Sequence, residues 1–429
     1  MRNPVGRGSS FLPVLALVLA GAGLVHGQQG TFIDARNAAA LYGDPINSVY
    51  WDSMGSLSSD RLEVFITSDR HFFSDPEGMQ EREISIYKVD LFHGTRENVA
   101  QPFAGFTNAG ILERVNSEYD ECTPFISADG LTLTWFSDRS GEIGQYDIWV
   151  ARRPQVRDAN GEYVPFEEPF QFTALVSPSI EWGQSFSRDM STIYFSSDRA
   201  QGSGLFDLWQ AALRADGACD EPVTTPFEQF VNSPFNEFRP MVSGDELAIF
   251  WSDLDIPPFR NGRDADIWMA TRSVRTEPFG NVRSIGRPVN TTSHEFDFFI
   301  TPDWPAEGAE IWFTSNRPGT AGLGDIWVAT WADDKPFRRG DANNDGALNL
   351  TDGVVILGFL FLGSGELPCL DAADADDGGT VQVTDAVVLF NYLFRGEAAP
   401  VEPFGSCGSD PTTGDALHCP SFAPCDDRG

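Results

Sequence analysis

The feature that most constrains the fold of this chain is a repeat of about sixty residues spanning positions 45 to 331. Three landmarks recur in one order, and five such copies predict five similar structural units. The first is a turn Asp: Asp60, Asp129, Asp189, Asp245 and Asp303. The second is Ser-Asp-Arg or a variant: Ser68-Asp69-Arg70, Ser137-Asp138-Arg139, Ser197-Asp198-Arg199, Ser252-Asp253-Leu254 and Ser315-Asn316-Arg317. The third is Asp-Ile-Trp or a variant: Ser85-Ile86-Tyr87, Asp147-Ile148-Trp149, Asp207-Leu208-Trp209, Asp266-Ile267-Trp268 and Asp325-Ile326-Trp327.

Between the landmarks, apolar and polar residues alternate, as in Leu131 to Phe136 and Thr192 to Phe195. Alternation at period two with β-branched and aromatic residues predicts short antiparallel strands. Each unit has room for four strands, with a looser outer strand such as Phe170 to Val176, and four strands per unit make a propeller blade. The sequence therefore predicts an all-β five-bladed propeller. The segment Ala35 to Ile46 is expected to supply the outer strand of the last blade and close the ring.

This order of landmarks resembles the TolB-like WD40/PD40 β-propeller repeats of exported bacterial proteins. The resemblance covers about two thirds of the chain and implies the fold. It leaves the function open, because propellers serve both as binding proteins and as enzymes.

An acid also precedes each turn Asp at a nearly constant distance: Asp52, Glu121, Glu181, Glu237 and Glu295. In one interpretation these carboxylates ring a mouth of the central channel and hold a cation or a sugar. In the other, each acid is a bracket inside its own repeat, accepting hydrogen bonds from the backbone or from the Arg of Ser-Asp-Arg. The second is favoured, since a functional site usually breaks the symmetry of a repeat. Likewise, the repeated Trp residues are expected to pack the blades.

Hydrolase motifs are sparse. The chain has no Gly-x-Ser-x-Gly and no His-Glu-x-x-His, and its few His residues are scattered. A glycoside hydrolase needs only two placed carboxylates and remains the alternative function. The acids that break the repeat, Glu118, Asp120 and Asp297, are the places to look for them.

A different pattern begins after the repeats, in the twelve residues DANNDGALNLTD. Oxygen ligands fall at loop positions 1, 3, 5, 7, 9 and 12, with Gly346 at position 6 for the sharp turn. The predicted ligands are Asp341, Asn343, Asp345, the Ala347 carbonyl, Asn349 and Asp352. This register predicts a strong Ca²⁺ site, followed by a helix from Asp352 to about Leu362. The residues before the loop contain Pro and Gly and predict no entering helix.

A second copy, DADDGGTVQVTD, starts 33 residues later at Asp374 and precedes an apolar helix from Ala386 to Phe394. Gly378 replaces the ligand at position 5 and Gln382 the one at position 9, so a weaker Ca²⁺ site is expected. The remaining predicted ligands are Asp374, Asp376, the Thr380 carbonyl and Asp385.

Duplicated loop-helix units with Asp at position 12 resemble the type I dockerin domain, a calcium-dependent module of secreted polysaccharide-degrading proteins. The resemblance spans about residues 338 to 396. It implies a small α-helical domain that binds a cohesin-like partner, chosen partly by loop positions 10 and 11. Here these are Leu350-Thr351 and Val383-Thr384, which are less polar than is usual. A purely structural, calcium-bound tail without a partner is the other possibility.

The start of the chain and its charge set the compartment and the partners. Arg2 and Arg7 precede an apolar run from Phe11 to Val25, which predicts a signal peptide cut near Gly27 and a secreted, cell-surface or periplasmic protein. No later apolar run is long enough for a membrane span. A net charge of -34 argues against nucleic acid as a partner and favours cations.

The predicted segments are residues 1–27 as signal peptide, 28–335 as propeller, 336–396 as the dockerin-like domain and 397–429 as a Cys-rich extension. The propeller is expected to bind a glycan or a protein. Four of the six cysteines lie in the tail, at 369, 407, 419 and 425, and predict two disulfides whose pairing the sequence leaves open. Cys122 and Cys219 either pair or remain thiols.

Overall fold

A computed structural model of the chain describes residues 30–39, 46–70, 88–139, 146–175, 177–214, 218–253, 264–363, 367–411 and 417–426. The predicted signal peptide and the Ser85-Ile86-Tyr87 tripeptide lie outside these residues. In the described part of the chain, no helix is both long and apolar enough to cross a membrane.

The repeats form a five-bladed β-propeller, as predicted. The first strand of each blade contacts the first strand of the next, and the contact between blades 5 and 1 completes a ring around a central channel. Blade 1 contains β2 (Asp52–Leu57), β3 (Glu63–Ser68), β4 (Asp90–Thr95) and β5 (Ala104–Thr107); blade 2 contains β6 (Glu121–Ile126), β7 (Thr132–Ser137), β8 (Asp147–Arg152) and β9 (Phe170–Gln171). Blade 3 contains β10 (Glu181–Phe186), β11 (Thr192–Ser197) and β12 (Asp207–Ala212); blade 4 contains β13 (Phe238–Val242), β14 (Ala248–Ser252), β15 (Ile267–Thr271) and β16 (Gly280–Ser284). Blade 5 contains β17 (Glu295–Ile300), β18 (Glu310–Ser315) and β19 (Asp325–Asp333).

An N-terminal strand closes the ring, as predicted, but it lies earlier in the chain than the predicted segment. Strand β1 (Gly30–Asn37) pairs antiparallel with β19, so only Ala35 to Asn37 of the expected segment take part. The reason is that β19 continues to Asp333, beyond Trp331, and its extra residues pair with Gly30 and Thr31. A bulge between Ile33 and Arg36 absorbs the mismatch in register.

The third strand of blade 1 also differs from the prediction. Asp90 pairs with Ser68 in the same register in which Asp147 pairs with Ser137 and Asp325 with Ser315. The tripeptide equivalent to Asp-Ile-Trp in blade 1 is therefore Asp90-Leu91-Phe92, and the assignment of Ser85-Ile86-Tyr87 was wrong. The insertion before Asp90 hid the match, since it broke the regular spacing.

The outer strands are shorter than predicted. Strand β9 covers two residues, where Phe170 to Val176 was predicted. In blade 3, the described outer edge is reduced to isolated bridges between Gln210 and Val223 and between Leu213 and Cys219.

A repeated Asn explains why the third strand is held so regularly. The Asn116 side chain accepts a hydrogen bond from the Leu91 amide and donates one to the Leu91 carbonyl, both at 2.9 Å. Three other Asn residues make the same pair of bonds to the middle residue of the motif: Asn232 to Leu208, Asn290 to Ile267 and Asn47 to Ile326. These bonds satisfy strand backbone groups that the short outer strands leave unpaired.

The tail contains α1 (Leu350–Leu362), α2 (Leu370–Ala373), α3 (Val383–Phe390), a π-helical turn (Asn391–Arg395) and α4 (Ala423–Asp426). As predicted, residues 335–340 form no helix. Ile356 and Leu389 are buried between α1 and α3. The helices approach closely at Gly353, where an added Cβ would lie 2.4 Å from the Phe390 ring. The two predicted disulfides join Cys369 to Cys419 and Cys407 to Cys425, while Cys122 and Cys219 are free thiols.

Candidate functional site

The five repeated acids are brackets within their own blades and do not line the channel. Each is buried at or next to the start of the first strand, and four of them pair with the Arg of Ser-Asp-Arg. The nitrogen-to-oxygen distances are 2.5 Å for Arg70–Asp52 and Arg139–Glu121, 2.7 Å for Arg199–Glu181 and 3.1 Å for Arg317–Glu295. In three blades the same Arg also lies over the ring of the repeated Trp, at 4.8 to 5.4 Å. The acid, the Arg and the Trp thus form one packing unit.

Glu237 is the exception, because blade 4 has no Arg at this position. Its carboxylate accepts hydrogen bonds from the amide and hydroxyl of Ser233. Burial raises the pKa of Glu237 to about 8, and repulsion from Asp207 and Asp253 acts in the same direction. We therefore expect this carboxyl to be largely protonated at neutral pH.

The substitution Glu237→Gln is expected to change how stability depends on pH. Between the ordinary carboxyl pKa of 4.5 and about 8, the folded chain keeps a proton that the unfolded chain loses. Stability of the wild type then falls as the pH rises, by at most about 1.4 kcal/mol per pH unit. The variant lacks this dependence, so its stability relative to the wild type should rise from about pH 5 to about pH 8 in urea unfolding and then level off. Glu295→Gln removes the carboxylate that pairs with Arg317 and should instead be destabilising over the same pH range. An E237Q difference that does not vary with pH would rule out the protonated carboxyl.

A pocket of about 350 Å³ lies at the mouth of the central channel. Its lining comes from the start of the inner strand in every blade: Trp51, Cys122, Thr123, Trp182, Gly183, Phe238, Arg239, Phe296 and Asp297. Trp51, Trp182 and Phe296 are half-buried, so their rings are accessible from the pocket. The wall is mainly aromatic and the polar groups are few, which is the usual make-up of a small-ligand site.

The backbone at this mouth is strained in a repeated way. Two residues after the repeated acid, Thr123, Gly183, Arg239 and Asp297 have φ values of 44, 59, 54 and 41°. Left-handed backbone is uncommon for non-glycine residues and unfavourable for a β-branched Thr. Each lies at a bulge in its inner strand, and each lines the pocket. Because this conformation recurs in four blades, it is a feature of the repeat, and it places these residues on the wall of the pocket.

An ion pair spans the floor of the pocket. Arg239 of blade 4 pairs with Asp297 of blade 5 at 2.9 Å and donates to the carbonyls of Met54 and Gly55 in blade 1 at 2.6 and 2.8 Å. The Asp297 carboxylate also accepts a hydrogen bond from Ser53. Both charges are therefore compensated before any ligand binds.

The other two acids that break the repeat lie elsewhere. Glu118 is exposed. Asp120 accepts bonds from the Val89 amide and the Tyr146 hydroxyl, and burial raises its pKa. Among the described residues that line the pocket, Asp297 is the single carboxylate.

In the first tail loop, backbone amides donate hydrogen bonds to the acids of the same loop. Asp341 accepts hydrogen bonds from the amides of Asp345 and Gly346, and Asp352 accepts from the amides of Asn343 and Asn349. Gly346, at position 6, has a φ of 82°. The remaining predicted ligands are held locally: the Asp345 side chain accepts from the Ala347 amide, and the Ala347 carbonyl accepts from the Asn349 side chain.

The second loop repeats this arrangement. Asp374 accepts from the amides of Gly378 and Gly379, and Asp385 accepts from the amides of Asp376 and Gln382. Gly379, at position 6, has a φ of 78°. The Thr380 hydroxyl accepts a bond from the Gln382 side chain.

The carboxylates of the second loop form a cluster that can take a metal ion. Oxygens of Asp374, Asp376 and Asp385 lie within 4.8 Å of one another. Burial raises the pKa of Asp385 to about 7, and repulsion from Asp376 and Asp374 adds to the rise. One carboxylate oxygen of Asp376 is buried without a hydrogen-bond partner. Converging carboxylate oxygens are hard ligands that fit a divalent cation such as Ca²⁺.

Both helices that follow the loops expose apolar side chains at matching positions. Leu350, Val354 and Phe361 of α1 correspond to Val383, Val387 and Phe394 after the second loop, and all six are exposed. Apolar residues exposed at matching positions after both loops are candidates for an interaction surface.

Sequence reasoning missed a second repeated Arg. Arg96, Arg153 and Arg272 each follow the third strand and donate from Nε to a turn carbonyl at 2.6 to 2.9 Å. The signal was present in the sequence: each lies six residues after the motif Asp, at Asp90, Asp147 and Asp266. Arg153 also forms a bidentate pair with Glu63 of blade 1, at 3.0 and 2.6 Å.

Comparison with known proteins yields structural likenesses alone. No protein-family model and no curated protein matches the sequence. Similar solved structures include TolB from Acinetobacter baumannii (10% identity, TM-score 0.33, 71% of this chain and 63% of that one). Others are a putative TolB from Agrobacterium tumefaciens (12%, 0.35, 70% and 98%) and a GH43 β-xylosidase/α-arabinofuranosidase from a compost microbial metagenome (11%, 0.42, 72% and 97%). The match spans less than two thirds of the Acinetobacter protein. These likenesses concern the propeller fold and not the site.

Proposed function

We propose that this is an exported, non-catalytic propeller that binds a glycan at its channel mouth and is attached by a calcium-dependent, dockerin-like tail to a polysaccharide-degrading assembly. The observation that carries the first part is the pocket itself. Its aromatic wall surrounds a pre-formed ion pair, and its one carboxylate is occupied by Arg239 and Ser53.

The shape and chemistry of the pocket suit a sugar. Trp51, Trp182 and Phe296 offer partly accessible ring faces from three different blades. Large rigid aromatic side chains supply contact area at low entropic cost, and the apolar faces of sugar rings match them. Thr123 and Asn316 add polar groups for hydroxyls.

Glycoside hydrolysis is the less favoured function. It requires two carboxyl groups about 5 to 9.5 Å apart on either side of the scissile bond. Asp297 is the single carboxylate among the described residues that line the pocket, and the five repeated acids are bonded within their own blades. A protein ligand in place of a glycan is tested by the same experiment.

For the tail, two loops of one register and a cluster of close carboxylates support Ca²⁺ binding at Asp341, Asn343, Asp345, Ala347, Asn349 and Asp352, and at Asp374, Asp376, Thr380 and Asp385. The matched exposed apolar residues on α1, on α3 and on the π-helical turn that follows it support docking to a cohesin-like domain. Two disulfides in this region are typical of an oxidising, extracytoplasmic compartment. A pull-down of cohesin-like domains with and without a chelator separates docking from a purely structural tail.

Substitution of Trp51 by Ala is expected to weaken glycan binding about tenfold or more, since burial of one large apolar side chain by a ligand is worth about 1.5–3 kcal/mol. Glycan arrays and calorimetry on the full chain measure the effect, beside a hydrolysis screen on the same polysaccharides. Trp51→Phe should retain part of the affinity. Phe170→Ala, an exposed aromatic of the outer strand β9, is the matched control and should bind normally. Released sugars, or binding of proteins alone, would contradict the proposal.

A further inference from the structure

Arg339 lies just before the first tail loop, but its side chain reaches the second. It is fully buried, with an exposed fraction of 0%. Its Nη1 donates to the carbonyls of Asp371 and Asp374 at 3.1 and 2.8 Å, and its Nη2 contacts the carboxylates of Asp377 and Asp410 at 2.9 and 2.6 Å. Its Nε donates to the carbonyl of Glu402 at 3.3 Å. A planar guanidinium with five N–H donors suits such a site, where Lys does not.

These contacts fall on the parts of the second loop that set its shape. Asp374 is position 1 of that loop, and Asp377, at position 4, has left-handed backbone with a φ of 57°. The Gly340 amide, next to Arg339, also donates to the Ala372 carbonyl at 2.7 Å. The loop is preceded by a helix of four residues, α2, which offers little support of its own. Arg339 therefore supplies a support that a longer entering helix would otherwise give.

The C-terminal extension completes the surroundings of Arg339. Besides Asp410 and the Glu402 carbonyl, the Pro403 carbonyl accepts a bond from the Arg339 amide at 2.6 Å. The Cys369–Cys419 disulfide ties the extension to the residues just before the loop. Asp377 and Asp410 balance the charge of Arg339, which would otherwise repel a nearby cation.

We propose that Arg339 is a positioning residue that holds the second loop in its calcium-binding shape, and that the extension through residue 426 is part of the calcium-binding unit. The inference rests on the proposed calcium binding. It predicts that Ca²⁺ affinity at the second loop depends on groups that never touch the ion, as is common for residues that orient metal ligands.

Calorimetry with Ca²⁺ alone on the full chain tests the proposal. Asp385→Asn first identifies the heat that belongs to the second loop. Arg339→Met should then weaken that transition about tenfold or more and leave the first loop within threefold, while Arg339→Lys should restore it only in part. Arg395→Met is the control, because Arg395 lies in the same tail and forms an exposed ion pair with Glu397.

Asp410→Asn is the second variant, for use if Arg339→Met prevents the tail from folding. It removes one anchor of Arg339 on the extension and leaves the loop sequence intact. Weaker calcium uptake at the second loop, with both disulfides formed, would support the proposal. Wild-type affinity at the second loop in Arg339→Met would overturn it. If Arg339→Met does not fold, wild-type affinity in Asp410→Asn would overturn it. A wild-type chain that takes up no Ca²⁺ would instead refute the proposed function.

Discussion

Removal of calcium with EDTA is expected to unfold the tail while the propeller remains folded. The second loop brings the carboxylates of Asp374, Asp376 and Asp385 together, and without a cation their mutual repulsion opposes the folded form. In the first loop, burial and repulsion from Asp341 and Asp345 raise the pKa of Asp352 to about 6. With Ca²⁺ at about 100 times its dissociation constant, each occupied site adds about 2.7 kcal/mol to stability.

Hydrogen exchange followed by mass spectrometry checks this region by region. In EDTA, amides of 341–352, 374–385 and the two following helices should lose protection, whereas amides of the fifteen inner, second and third strands of the blades should not. Asp352→Asn should lower affinity at the first loop about 100-fold, because position 12 closes the ligand shell. Glu397→Gln, an acid paired with Arg395 on the surface of the same tail, is the control. Identical exchange with and without EDTA, together with no heat of Ca²⁺ uptake, would exclude calcium-dependent folding.

Substitution of Arg153 by Met is expected to destabilise the propeller by about 3–5 kcal/mol, because it leaves the Glu63 carboxylate buried without its main partner. Glu63, Arg153 and His93 form a buried cluster that joins blades 1 and 2, with His93 Nε2 3.0 Å from Glu63. Burial alone would raise the pKa of Glu63, but the hydrogen bonds from His93 and Arg153 outweigh it and lower the pKa. The cluster therefore stabilises the folded chain above the ordinary pKa of 4.5, and this contribution is lost as the pH falls below it.

Urea unfolding of the full chain at neutral pH measures the loss as a shift of midpoint at constant slope. Arg214→Met is the matched control: Arg214 pairs with Asp220, and both side chains are more than half exposed. Such a surface pair contributes about 1 kcal/mol or less. Equal losses of unfolding free energy in the two variants would show that the interblade cluster stabilises the fold no more than a surface ion pair does.

The sequence predicted the elements whose determinants are local and repeated. Five copies of one landmark order predicted five blades, and the bracket interpretation of the repeated acids proved correct in all five. Four acids pair with the Arg, and Glu237 accepts a hydrogen bond from the Ser233 amide. The Gly residues at position 6 of the tail loops adopt the left-handed backbone that their register required. Where an insertion disturbed the spacing, as before Asp90, the prediction was wrong.

The sequence by itself determined the blade count and the two loop-helix units, since each depends on residues at regular separations. It also predicted the tail disulfides, because four cysteines are concentrated there. Only the tertiary structure decided which segment closes the ring, how the cysteines pair, and what lies at the channel mouth. It also joined Arg153 to Glu63 and Arg339 to the second loop. These contacts link residues 18 to 303 positions apart and form where packing of the whole chain brings them together. The order of residues along the chain does not by itself indicate which distant side chains will meet.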